Sequence, residues 1–173
     1  YRTFKSNLET NYGFKIREDH PILPWLVLHV GMTLYRYKKG TDGQTPYRRL
    51  KGKDFKGKQT DYGASVFYLK PRSKGKYKGD SRWGLGIWLG TRDISGEQLI
   101  GTREGVFKCR AIRPIADPNK RWNRDAFEAM KGTPWEPIPG KPGSEVKSFI
   151  PSGDETGILP KKEGVTMPYV ARR

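Results

Sequence analysis

An α+β fold, with helices first and a small bent antiparallel sheet or barrel after them, follows from where the periodicity of this 173-residue chain changes. Apolar residues recur at helical spacing up to residue 40, alternate with period two between residues 62 and 112, and give way to a stretch dense in Pro and Gly after residue 133. The resulting expectation is a helical segment at 1–40, a basic linker at 41–60, a small β-barrel at 61–115, a short helix at 116–132 and an extended tail at 133–173.

The first element places Phe4, Leu8 and Tyr12 on one stripe, with Gly13 behind them as a C-terminal stop. A second helix opens near Asp19 or His20, where Pro21 and Pro24 suit a first turn, and runs to Gly40. Its expected buried face is Trp25, Leu28, Met32 and Tyr35, widened by Val27, Val30 and Leu34, which would make it the most buried helix of the chain. Strands are expected at 62–69, 83–90, 97–102 and 105–112, the last two joined at Arg103 and Glu104. Four or five short strands in about 55 residues fit an SH3-like barrel or a strongly bent sheet. Asn123 is placed to cap a short helix over RDAFEAMK, closed by Gly132. The tail lacks the apolar density for a core of its own. Its spaced anchors, Trp135, Phe149 and Tyr169 foremost, suit pockets on a neighbouring partner, so the tail is expected to run extended with few contacts to residues 20–115.

Charge is the strongest functional signal. Lys and Arg number 34 against 18 Asp and Glu, a formal +16, and an excess of that size implies an anionic partner. It concentrates in two Gly-rich runs, each with six basic residues and one acid and each carrying an aromatic, Phe55 or Tyr77. The candidate nucleic-acid contacts are Arg48, Arg49, Lys51, Lys53, Lys56 and Lys58 in the first run, and Lys70, Arg72, Lys74, Lys76, Lys78 and Arg82 in the second. Basic loops with scattered aromatics serve RNA and DNA alike, with RNA slightly favoured.

No catalytic residue and no metal or cofactor site is expected. Zinc needs about four Cys or His ligands, and the chain offers only His20, His29 and Cys109. His20 reads as a helix-start residue, His29 as a packing residue and Cys109 as a small buried one. Two-metal chemistry needs converging carboxylates, whereas Asp54, Asp61, Asp80, Asp93 and Asp117 sit in expected turns. The glycines at 84, 86 and 90 lie within a strand pattern, with no GK[ST] following, and mark bends rather than a phosphate loop. No stretch approaches the roughly 18 apolar residues of a membrane helix, so no membrane partner is expected. The chain opens at Tyr1 without Met, which leaves room for an upstream part, a targeting peptide included.

From Trp25 onward the order of features resembles the region after the catalytic core in integrases of copia-type LTR retrotransposons. The motifs are Leu34-Tyr35-Arg36, Thr45-Pro46-Tyr47-Arg48 in place of a TPYE-type motif, Leu50-Lys51-Gly52-Lys53, Tyr62-Gly63, the strand Gly86-Ile87-Trp88-Leu89-Gly90 and a closing Cys109-Arg110-Ala111. The match covers about residues 20–115. It implies the last helices of a catalytic core followed by a small basic β domain that contacts nucleic acid. The family's Asp-Asp-Glu set is not matched, since its Glu would lie upstream of Tyr1 and Glu9 has no Asp before it, and the His-His-Cys-Cys zinc element is missing too.

Three expectations follow. The first is a non-catalytic, integrase-derived nucleic-acid-binding protein acting as a structural subunit of a larger nucleoprotein assembly, plausible settings being an organellar ribosome and the mitochondrial matrix, with other protein subunits as partners. The second is the DNA-binding end of an active retroelement integrase, nuclear or cytoplasmic. The third is a protein–protein module using Trp83, Trp88, Trp122 and Trp135, although alternating aromatics in strands are more often core.

Overall fold

A computed structural model describes residues 1–57, 60–70, 81–141 and 143–148. Two helices, α1 (Arg2–Tyr12) and α2 (Ile22–Tyr37), precede a one-turn helix α3 (Pro46–Lys51). Then come β1 (Ser65–Leu69), β2 (Trp83–Thr91), β3 (Gln98–Thr102), β4 (Gly105–Cys109) and β5 (Ile112–Pro114), and two short helices, α4 (Pro118–Arg121) and α5 (Arg124–Glu128). The strands form one open antiparallel sheet in the order β4-β3-β2-β1-β5. The fold is therefore α+β with N-terminal helices and a five-stranded antiparallel sheet, as the change of period predicts.

Helix α1 buries Leu8, with Phe4 and Tyr12 partly covered, and ends on Gly13 in the left-handed conformation that its φ of 72° requires. Helix α2 starts at Ile22, and His20 fixes the start: its Nδ1 accepts from the Ile22 N–H while Nε2 faces the Phe127 carbonyl at 3.1 Å, which assigns a neutral ring donating through Nε2.

The buried face of α2 matches expectation at Trp25 and Val30 and departs from it elsewhere. Ile22, Leu23, Trp25, Leu26 and Arg36 are buried, with His29 half-buried beneath them, whereas Val27, Leu28 and Leu34 are about half exposed. The helix is apolar nearly all round, so periodicity alone leaves its rotation undetermined. What sets it is the seam with the sheet, where Tyr62 donates to the Ile22 carbonyl at 2.8 Å and His29 lies against the Tyr62 and Trp88 rings.

The stretch expected to be a basic linker contains α3. Thr45 Oγ1 accepts from the Arg48 N–H, Pro46 occupies the first turn, and Gly52 at φ 71° terminates the helix. The expected helix over RDAFEAMK is present as the shorter α5, capped by Asn123 Oδ1 accepting from the Ala126 N–H at 2.8 Å.

The tail departs from expectation in its described part. Residues 133–141 and 143–148 fold back along β4: Val106 N–H donates to the Pro137 carbonyl at 2.7 Å, Lys108 N–H to the Lys147 carbonyl, and Val146 joins the core. Gly105 and Gly132 permit this approach. Both have positive φ, and a Cβ on either would strike the Pro137 carbonyl. Phe149 and Tyr169 lie outside the described residues.

Two stability predictions follow. Gly132→Ala is expected to destabilise the fold by about 2 kcal/mol or more, read as a lower urea midpoint, since it combines a disfavoured φ with a steric clash. An unchanged midpoint would mean that the segment after residue 132 is not docked. His29 carries a pKa pushed down to about 4, first by burial and then by the Arg36 charge. The neutral ring is thus favoured in the folded state, so its contribution is complete above the unfolded value near 6.5 and is lost as pH falls toward 4. Stability is expected to drop by up to about 2 kcal/mol between pH 7.5 and 5, and His29→Gln to flatten that dependence.

Candidate nucleic-acid interface

The first basic run is built around the C-terminal end of α2. Tyr47 of α3 meets Tyr35 and Phe55 edge-on, and Phe55 packs edge-on against Tyr37. Arg36, almost wholly buried, lies with its guanidinium 4.3 Å from the centre of the Phe55 ring, donates to the Thr91 carbonyl at 3.2 Å and sits 3.6 Å from Asp93. This contact fixes the run to the Thr91 end of β2.

Within the run the side chains divide. Arg49 forms a two-pronged pair with Asp42, at 3.0 and 2.6 Å, which holds the Asp42 carboxyl down at about 2. Arg48 bonds Asp54 at 3.1 Å. Lys51, Lys53 and Lys56 are exposed and make no ion pair among the described residues. Lys58 lies outside the described residues.

The second run belongs to the opposite end of β2. Leu69 pairs with Trp83, and the Lys70 N–H donates to the Arg82 carbonyl at 2.8 Å, so these two cations flank the base of the β1–β2 hairpin. Arg72, Lys74, Lys76 and Lys78 lie outside the described residues. The nine residues of β2 separate the anchors of the two runs by up to roughly 25 Å along the strand, less where the register shift between Trp88 and Gly90 bends it. The described residues thus anchor the two runs at opposite ends of β2, a spacing that sequence reading missed because it depends on where Arg36 docks.

The expected turn acids each have a local task. Asp54 and Asp93 pair with Arg48 and Arg36, Asp61 with Arg121 at 3.3 Å, and Asp117 caps α4; Asp80 lies outside the described residues. Glu9 accepts from the Ile16 N–H at 3.0 Å, pinning the loop after α1. Among the described residues no group of three or more His, Cys, Asp and Glu is placed to hold a metal ion, and no helix is long and apolar enough to cross a membrane. Cys109 is buried, and burial pushes its thiol up to about 11, away from nucleophilic use. Of the tryptophans singled out above, Trp88 is core and bonds Gln98 through Nε1, Trp122 is half-buried beside Tyr12, and Trp135 is exposed.

Sequence reading missed one feature of the sheet. Phe67 of β1 stands exposed between Leu85 of β2 and Arg113 of β5, and the Arg113 guanidinium lies 4.3 Å from the centre of the Trp83 ring. The alternation of β1 carries this signal, since Phe67 falls out of phase with buried Val66 and Tyr68.

Replacing Asp42 and Asp54 with Asn is expected to release Arg49 and Arg48 and, on the nucleic-acid expectation drawn from the charge, to tighten binding to duplex. For each released arginine that reaches a phosphate, the plot of log affinity against log salt should steepen by about 0.9. Unchanged affinity and slope would show that both arginines act only in holding the loop.

No protein-family model matches the chain, and no curated protein or solved structure shows significant similarity to it.

Proposed function

We propose that the chain is a non-catalytic nucleic-acid-binding unit of the kind found at the C-terminal end of copia-type integrases, and that its sheet is an SH3-like barrel. The sheet reading is supported by strand order: β5 leaves β4 after two residues and returns to pair with β1. The observation that carries the functional reading is the disposition of charge. Asp54, the acid of the first run, is taken up by Arg48, and Asp42 ahead of the run by Arg49, which leaves Lys51, Lys53 and Lys56 facing solvent at one end of β2, while Arg82 immediately precedes β2 at the other. Lysines in that state are suited to phosphate contact, which positions a nucleic acid without reading its sequence.

Between the two settings for such a unit, the described tail favours the DNA-binding end of a retroelement integrase. The assembly-subunit reading leaned on a tail held by neighbours, and the described residues 133–141 and 143–148 instead fold back along their own β4. Exposed Trp135 is the feature that still favours a partner subunit.

The test is a salt titration on duplexes of graded length. If about six side chains touch phosphate, log affinity should fall with log salt at a slope of roughly −5. The separation of the two runs predicts that the slope grows between about 6 and 12 base pairs, as both ends of β2 become engaged. Lys51, Lys53 and Lys56 changed together to Ala should flatten the slope and weaken unrelated sequences equally. Affinity that ignores salt would overturn the proposal, and equal affinity and slope at all lengths would overturn its two-anchor form.

A further inference from the structure

We infer that the exposed strip Leu85–Phe67–Arg113, with Trp83 beside it, is a stacking platform for unpaired bases, so that this protein holds the single-stranded or frayed part of a nucleic acid on its sheet. The inference rests on the nucleic-acid reading above and adds the substrate class that the sheet selects.

Phe67 pairs with Leu85 on one side and with Arg113 on the other, so the three side chains form a row across β2, β1 and β5 on one face. Phe67 keeps 42% and Leu85 40% of its surface exposed, unusual for two large apolar residues directly opposite each other at the centre of a sheet. Two residues along, the Leu69–Trp83 pair continues the same face, and the Arg113 guanidinium covers the Trp83 ring. Aromatic and guanidinium planes side by side offer the flat surfaces on which bases stack irrespective of sequence.

Charge identifies the occupant. The strip ends at the hairpin base, where Lys70 and Arg82 flank the second basic run, and Arg113 stands within it. On the other side Leu85 borders a groove of about 300 Å³ toward α5, lined by both Arg103 and Asp125, so the cationic border of the strip lies at its hairpin end. An apolar row bordered by cations on a chain of formal +16 complements a polyanion with exposed bases better than it complements a second copy of the same chain. Duplex cannot use the row, because its bases are already stacked on one another.

The experiment measures binding of the full chain to a fluorescent 20-nucleotide DNA strand, the same strand as RNA, and a blunt duplex of the same sequence. Phe67→Ala is expected to weaken both single strands about tenfold and the duplex less than twofold, and Phe67→Tyr to restore single-strand binding. Arg113→Gln should give a smaller loss of the same kind. Equal losses on single strand and duplex, or none on either, would overturn the platform while leaving the phosphate-binding proposal standing. A wild-type chain that binds none of the three would overturn both. Dimerisation of the wild-type protein that Phe67→Ala abolishes, without a selective single-strand loss, would assign the row to a second copy and refute the inference.

Discussion

The seam between α2 and β2 is the constraint on which the rest of the structure depends. Tyr62 holds the first turn of α2 through the Ile22 carbonyl, His29 packs among the Phe4, Tyr62 and Trp88 rings, and Arg36 closes the far end on Thr91 and Asp93. A guanidinium buried this deeply is costly unless its charge is met, and here a carbonyl, a carboxylate and an aromatic face meet it. Because Phe55 is one of those partners, the contact that seats the helix also positions the first basic run. A lysine at this position would supply charge without the planar fork that contacts all three.

The ion pairs of the described residues follow a division of labour. Arg17, Arg36, Arg48, Arg49, Arg121 and Arg124 are engaged with carboxylates, most at 2.6–3.3 Å, whereas the three lysine pairs are looser, at 3.6–3.8 Å. Planar forks suit fixed geometry, and flexible ammonium groups suit a phosphate backbone whose position varies. The net charge of the chain therefore understates how unevenly its cations are available.

How much of this could be read in advance depends on whether a residue's role is local. Strand positions were legible as short period-two runs bounded by turn residues, and α1 was legible because its stripe ends on Gly13. The rotation of α2 was not, since Val27, Leu28 and Leu34 are as apolar as Ile22 and Leu26, and the deciding residue, Arg36, is a charge. The signals for α3, Thr45, Pro46 and Gly52, were present but bracket a single turn with no apolar period. Docking of residues 133–141 and 143–148 runs through main-chain groups of Pro137 and Lys147, which leave no side-chain pattern. For the site, the charge was legible and its spacing was not, because the distance between the two runs is set by partners remote in sequence.

The main-chain bond between Lys70 and Arg82, together with the Leu69–Trp83 pair below it, seals the β1–β2 hairpin at its base. Closing a longer loop costs little, about 0.6 kcal/mol for each doubling of length. Chain length between these two bonded residues is therefore weakly constrained: adding or removing residues there costs the bond that closes the hairpin little.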